Sequence, residues 1–458
     1  VGRLVRRTDD LWAGGGTLLA AWSAVALAIA LHRGQYLASL VVLVVASLVL
    51  TALAIARSGA AGVPLWAGVA AAAITVAISG VAFGPAQYSH GSWLVPSRVC
   101  GALAGLAAAG TLVPRRYLDR LTGGLYQRLP AIALLLAVLA AFTRILATPN
   151  PDIDVYVFLQ DSSRGILHGR DLYHQCWPGS NGLRCAYPYL PITSVLLVPA
   201  RVLTGDVRFG LLAALVLAVI LLRRGLAREA ALLPLLLIVF PQAPYSIIQS
   251  WTEPLLIVCL VAMVVAVRAG HPGWATVAFA VALASKQHIA LLVPLAAWWP
   301  AFGWRRTLRA VLLALLAVTP WIIAGPRAFW ADVVTLNLHY PVLRDALDLQ
   351  ATLAHLGVYP GFALTGAALL LAYGLVLVRL PRTGAGFAVG GALVLLALDA
   401  TNKQSFFNHY TLPMALLVVG VTESVRSRAA GGGGPAGWSR WWSRPAPVRA
   451  PEVKEVPV

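Results

Sequence analysis

An all-helical integral membrane protein with about 14 transmembrane helices is the fold that the sequence predicts, and three observations predict it. Of 458 residues, 59% are apolar and only 11% are charged, too few charges to clothe a water-soluble surface. The apolar residues gather into runs, and about 20 in a row is what a helix needs to cross a bilayer. The 35 Lys and Arg residues, against 17 Asp and Glu, lie mostly in the short connections between those runs. On a soluble chain the net charge of +18 would point to nucleic acid. Set between apolar runs it reports topology, so the expected partner is the lipid bilayer and not a nucleic acid.

Taken in order, runs at 11–31, 37–56, 63–84 and 93–113 give four spans ahead of any long polar stretch, an additional N-terminal four-helix region over residues 1–128. No small-residue cleavage site separates the first run from the second, so no cleavable signal peptide is expected. A fifth run, 129–147, opens a membrane core over 129–425 and leads into a long loop, 148–206, polar from Pro149 to Pro188. Segment 189–203 is apolar but short, and it carries Pro191, Pro199 and Arg201. That combination predicts a helix lying at the membrane interface. Further runs follow at 207–222, 229–245, 252–267, 273–285, 289–299, 309–325, 356–380, 384–400 and 410–425. Residues 426–458 hold glycines 431–434 and then Trp438, Trp441 and Trp442 among arginines, which reads as a disordered basic tail resting on anionic lipid.

Starting from a cytoplasmic N-terminus, alternation places Arg57, the cluster Arg115, Arg116, Arg120 and Arg128, then Arg223, Arg224 and Arg228, then Arg305, Arg306 and Arg309, and the tail on the cytoplasmic side. That is about two thirds of all Lys and Arg. Counting 189–203 as a span would carry Arg223, Arg224 and Arg228 across, so the charges favour the interfacial reading. The acids lean the other way. A plasma-membrane protein with both termini cytoplasmic and the long loop outside is the expectation.

Ionisable groups at membrane depth are costly and mark function, and here they gather at the outer ends of the runs. Asp152 and Asp154 follow the fifth run in Pro-Asp-Ile-Asp-Val-Tyr. If that segment is helical, Asp152 and Tyr156 share a face at i, i+4 while Asp154 points almost opposite. Capping of a helix start is the alternative role for both acids. Two of the three lysines, Lys286 and Lys403, stand at outer breaks between runs. The runs flanking Lys286 are shorter than a span, so the Ser285-Lys286-Gln287-His288 turn is predicted to lie within the outer half of the membrane, where a backbone break is tolerated only if it lines a cavity. A compact ammonium there suits a phosphate or diphosphate, with snorkelling to the interface as the alternative.

Gln249, Trp251 and Glu253 at the mouth of one run, and His409 and Tyr410 at the start of the last, complete the outer cluster. Cys176 and Cys185 share the long loop and are predicted to pair in an oxidising compartment, whereas Cys100 and Cys259 read as small buried hydrophobes. No HExxH, GxxxxGK[ST], GxSxG or EF-hand pattern stands at a usable place, which argues against hydrolase and ATPase chemistry. Nothing specifies a metal, and no cofactor is expected.

Asp152, Val155 and Tyr156 form a D-x-x-V-Y motif after a span. Gly169 and Tyr173 follow as G-x-x-x-Y, and residues 187–190 read Tyr-Pro-Tyr-Leu. Lys286 comes later, and Ser405, His409 and Tyr410 close the series. In this order the chain resembles the C-type (GT-C) glycosyltransferase superfamily, most nearly glycosyltransferase family 87, the polyprenyl-phosphate-mannose-type enzymes of actinobacteria. The resemblance covers about residues 129–425. Tyr189 stands where the family has a second proline, Asn408-His409-Tyr410 replaces the usual His pair, and four spans precede the expected first one.

The resemblance implies a GT-C-like core and transfer of a sugar, mannose ahead of arabinofuranose, from a polyprenyl-phosphate donor to a hydroxyl of an extracytoplasmic glycolipid or glycan, with inversion. It implies Asp152 as the base, with Asp154 as the second candidate. Lys286, His409 and Lys403 would surround the donor phosphate, and Tyr156, Tyr173, Tyr187, Glu253, His288 and Tyr410 would line the cleft. A transporter or flippase of a lipid-linked sugar is the alternative. It needs the same basic cavity but no base, so an acid on a disulfide-pinned loop favours the transferase.

Overall fold

The computed structural model describes residues 15–32, 37–56, 63, 65–81, 88–111, 125–180, 182–226, 230–240 and 243–430. Among these residues the chain is helical throughout, without a strand. Five helices are long and apolar enough to cross a membrane, or six if one bent pair is a single span. Arg57, Arg115, Arg116, Arg120 and Arg228 lie outside the described residues, as do Trp438, Trp441 and Trp442 of the expected tail.

Helices α1 (Gly15–His32), α2 (Ala38–Ala56), α3 (Leu65–Val81) and α4 (Leu94–Gly110) occupy the four N-terminal runs, and α5 (Leu129–Leu146) the fifth. The loop contributes α6 (Asp154–Leu167) and α7 (Ile192–Thr204). Then come α8 (Arg208–Arg223), α9 (Glu253–Arg268), α10 (Pro272–Leu283), α11 (Trp304–Ala324), α12 (Phe362–Arg379), α13 (Gly384–Thr401) and α14 (Thr411–Ala430). Helices α5, α9 and α10 each carry a proline at the first or second position, where the missing N–H has no intrahelical partner to lose.

Fewer helices are long enough to span than the sequence predicts, because several apolar runs form helices of only 10–17 residues and others are interrupted. Over 229–245 the described chain makes only the short helices Leu232–Leu235 and Ala243–Ile248. Pro234 and Pro244 lack the N–H that a helical ladder needs, in keeping with helices this short among the described residues. The run 356–380 likewise begins as helix only at Phe362, after Gly361 turns the chain with a φ of 60°. Segment 189–203 contributes α7, which begins at Ile192 and is set off from its successor. Helix α7 ends on Gly205 in the left-handed conformation (φ 79°), and α7 and α8 are bent by 111°.

The N-terminal helices are not an appendage on one edge. Helix α4 packs along α5, while α1 packs against α14 and α2 against α12 and α13, so they run from the first helix of the core to its last three. Where α1 crosses α3, a Cβ at Gly68 would fall 2.3 Å from the Gly16 carbonyl oxygen, so only glycine permits that approach. Helix α13 is the centre of the bundle, with 89% of its apolar stretch buried against 17% for α12 and 22% for α11. The last two therefore leave most of their apolar surface uncovered by the rest of the chain. At one end of the bundle Glu423 on α14 takes Arg268 of α9 and Arg426. Arg426 in turn donates to the Leu222 carbonyl, which ties α8 to the same point.

The loop folds over the opposite end, called the loop end below. Arg208, 1% exposed, clamps Asp206 through Nε and Nη2 and donates to the Thr148 carbonyl at 2.6 Å, fixing the loop's two ends to each other. Gln160 adds a second stitch, donating to the Gly205 carbonyl and accepting from Val207 N. Cys176 and Cys185 are disulfide-bonded. Phe158, Tyr173, Trp177, Tyr187 and Tyr189 pack edge-on or tilted against one another and give the loop its own aromatic core.

Replacing both Cys176 and Cys185 with serine should lower stability by about 2–3 kcal/mol, the loop-closure contribution for a ring of roughly ten residues. Thermal unfolding in detergent checks this. An unchanged midpoint would mean that the aromatic core and the Arg208 clamp hold the loop without the bridge.

Candidate functional site

At the loop end the chain breaks after α10. Lys286 is extended (φ −152°, ψ 134°), and a 3-10 turn, Gln287–Leu292, follows. The polar backbone freed by the break is taken up by the start of α7 and its approach. Thr193 Oγ1 donates to the Ser285 carbonyl at 2.7 Å, and Ile192 N donates to the Ala284 carbonyl. Gln287 Nε2 donates to the carbonyls of Pro188, at 2.7 Å, and Val333. A break inside an apolar bundle survives only when its groups are satisfied in this way. The short runs around Lys286 thus give the interruption that they predict.

The Lys286 ammonium lies 2.6 Å from Glu253 Oε1 and 5.3 Å from the centroid of the Tyr189 ring. Glu253 opens α9, where the helix N-terminus favours a carboxylate, and it is 1% exposed. Two half-buried imidazoles, His288 and His409, lie within the field of the Lys286 charge and of each other. Asp399, buried on α13, lies within the field of both Lys286 and Glu253. The Tyr189 hydroxyl is pushed well up by burial and then by the charges of Glu253 and Asp154. Phe407 walls the cluster beside Trp251, at 4.5 Å between ring centroids, and Tyr245, at 5.3 Å.

Asp154 is the first residue of α6 and is half-buried, whereas Asp152 precedes the helix and is exposed. The expected pairing of Asp152 with Tyr156 on one helical face therefore does not arise, because residue 152 has no helical position. The acid whose charge reaches Tyr189 is Asp154. Its Oδ1 accepts from Val155 N and its Oδ2 from Leu183 N, in the disulfide loop. A Cβ at Gly182 would fall 2.3 Å from Asp154 Oδ2, so glycine lets the disulfide loop close on this carboxylate.

Several residues expected in the cleft have other work. Tyr187 is fully buried, with its hydroxyl 2.6 Å from Ser194 Oγ. Tyr173 donates to the Tyr189 carbonyl at 2.9 Å from a buried position. Tyr410, fully buried, donates to the carbonyls of Leu347 and Asp399. These hydroxyls are spent on the framework. Tyr156 lies under the Arg208 guanidinium, 4.8 Å from ring centroid to carbon, at the loop's hinge. Lys403 donates to the Leu338 carbonyl at 2.7 Å and sits 4.9 Å over the Phe362 ring, so it fastens segment 336–339 instead of joining Lys286.

The turn bearing His409 is held from outside. Asp348 caps the helix Leu349–His355 through Ala351 N and accepts from Ser405 N at 2.9 Å. Burial pushes its carboxyl up to about 7 despite these backbone donors. Lys286 and Glu253 thus form the contact at the centre of a group whose other members join through charge alone, His288 and His409 in the field of Lys286 and Asp154 in that felt by Tyr189. Lys403, Tyr156, Tyr173, Tyr187 and Tyr410 are held by other partners, outside this group. Asp399 and Tyr189 belong to it without having been singled out from the sequence as site residues. The signal for Asp399 was available, as the one acid within its apolar run. Among the described residues, no three or more His, Cys, Asp or Glu side chains are grouped to hold a metal ion.

Comparison of the chain with models of protein families, with characterised proteins and with solved structures finds no match.

Proposed function

We propose that the chain is a multi-pass membrane glycosyltransferase that moves a sugar from a polyprenyl-phosphate donor to a hydroxyl of an extracytoplasmic glycolipid or glycan, with inversion. Mannose is the sugar favoured by the motif order. The observation that carries the reading is the buried Lys286–Glu253 pair under one folded loop, with His288 and His409 in the field of the lysine and Asp154 in that felt by Tyr189. The same reading puts the loop end outside the cytoplasm and both termini inside.

In this reading the acceptor oxygen attacks the anomeric carbon while the bond from that carbon to the phosphate oxygen breaks. The acceptor's proton goes to a carboxylate, and the bonding pair leaves with the lipid phosphate. Asp154, at the start of α6 with its charge felt at Tyr189, is the base in place of Asp152. Lys286 and the two imidazoles meet the charge that develops on the leaving phosphate. Glu253 holds the ammonium in place until the phosphate arrives. Phosphate is already a good leaving group, so no step calls for a metal.

Asp154→Asn keeps the size of the side chain but cannot accept a proton, so turnover should fall about 100-fold or more while donor binding persists. Asp152→Asn should leave turnover within a few fold. A transfer assay with labelled polyprenyl-phosphate mannose ranks the two, and the reverse ranking would return the base to Asp152. Full activity in both would favour a transporter of the lipid-linked sugar.

Gly182→Ala should lower turnover through Asp154, because the added carbon claims the space of Oδ2. Wild-type turnover, with the disulfide intact, would show that the carboxylate can shift without loss. Lys286→Arg keeps the charge but replaces a compact ammonium by a planar fork, so use of the donor should weaken at unchanged protein level. Wild-type kinetics in that variant would leave Lys286 only its structural pairing with Glu253.

A further inference from the structure

Glu253 is half-used. Its Oε1 takes the Lys286 ammonium at 2.6 Å, while Oε2, buried with the rest of the side chain, has no hydrogen-bond partner. A carboxylate is an acceptor only, and a buried acceptor without a donor is costly. On the same turn, Ser250 Oγ and Thr252 Oγ1 are equally buried and equally without partners. Ser250 holds a φ of 59°, the left-handed region that a residue other than glycine enters at a cost. Strain and unsatisfied polar atoms meet on one turn, and that turn leads into Glu253, whose Oε1 lies 2.6 Å from the Lys286 ammonium.

The chemistry that fits Oε2 is narrow. An anion would be repelled by the carboxylate, and a cation by Lys286. A neutral group that donates hydrogen bonds, and can also accept from the Ser250 and Thr252 hydroxyls, meets all three atoms. A vicinal pair of sugar hydroxyls has that character. We propose that Glu253 is a specificity-determining residue that accepts a hydrogen bond from a hydroxyl of the donor's sugar through Oε2, with Ser250 and Thr252 beside it. The proposal rests on the reading of the site as one for a polyprenyl-phosphate sugar. It adds that the protein tells the sugar-bearing lipid from the bare lipid phosphate at this turn.

The test measures binding of two short-chain lipids, polyprenyl phosphate and polyprenyl-phosphate mannose, to the full-length protein in nanodiscs. Wild type should bind both. In Glu253→Gln, polyprenyl phosphate should bind as well as before or better, since Lys286 loses its counter-charge, while the mannose lipid should bind about 10- to 100-fold more weakly. An equal loss for both lipids would make Glu253 only a holder of Lys286 and overturn the proposal, as would no loss for either. A second measurement needs no variant. With wild type, the four monodeoxy forms of the mannose lipid should include at least one that binds about 10- to 100-fold more weakly than the parent. Equal binding of all four overturns the proposal even if Glu253→Gln does not fold. Binding of neither parent lipid by wild type would instead overturn the functional reading on which the proposal rests.

Discussion

A lysine and a glutamate paired inside an apolar bundle constrain everything around them. Each charge alone would be prohibitive where Lys286 and Glu253 sit, and taking one away strands the other. Such a pair adds little to stability compared with apolar residues of the same size, and its presence asks for another reason. The pair also spans two discontinuities. Glu253 is where α9 begins, and Lys286 is where the chain breaks after α10. Holding them 2.6 Å apart fixes the start of one helix against the end of another, and it leaves the ammonium beside Tyr189, His288 and His409.

The loop is built to serve this pair. Its aromatic core, its disulfide and the Arg208 clamp make residues 148–206 a folded layer. The start of α7 then satisfies the broken backbone at Ala284 and Ser285, and the Gln287 side chain donates to the Pro188 carbonyl just ahead of it. The tyrosines show the division of labour. Tyr173 and Tyr187 give their hydroxyls to the layer, and Tyr189 turns its ring to the cation. On the other side, segment 343–350 runs along residues 403–405, with Leu343 N and Leu347 N donating to the carbonyls of Lys403 and Ser405. The turn that carries His409 is therefore gripped between Asp348 and the end of α13.

The N-terminal helices answer a packing problem. Helix α13 is almost wholly enclosed, and α2 supplies part of that enclosure while α1 packs on α14. Their contacts reach from α5 to α14, so they brace the two ends of the core chain, whatever partner they also meet.

The sequence by itself determined the all-helical class with helices apolar enough to cross a membrane, the approximate place of most helices, the break at Lys286 and the pair of cysteines that bond. These follow from local causes: the length of an apolar run, a proline or a polar turn within it, and two cysteines in one loop. It also picked out Glu253, His288 and His409, because polar residues at the mouths of apolar runs are few. What it did not decide was which way each side chain faces. Asp152 and Asp154 differ by two residues, which on a helix is a rotation of about 200°, but α6 begins at Asp154 and leaves Asp152 exposed ahead of it. Tyr156, Tyr173, Tyr187, Tyr410 and Lys403 carry the right chemistry for a cleft, yet contacts far away in the chain assign them to the framework. Asp399 joins the site only because α13 is packed at the centre of the bundle. Orientation of this kind is set by partners tens or hundreds of residues away, so only the tertiary structure decides it.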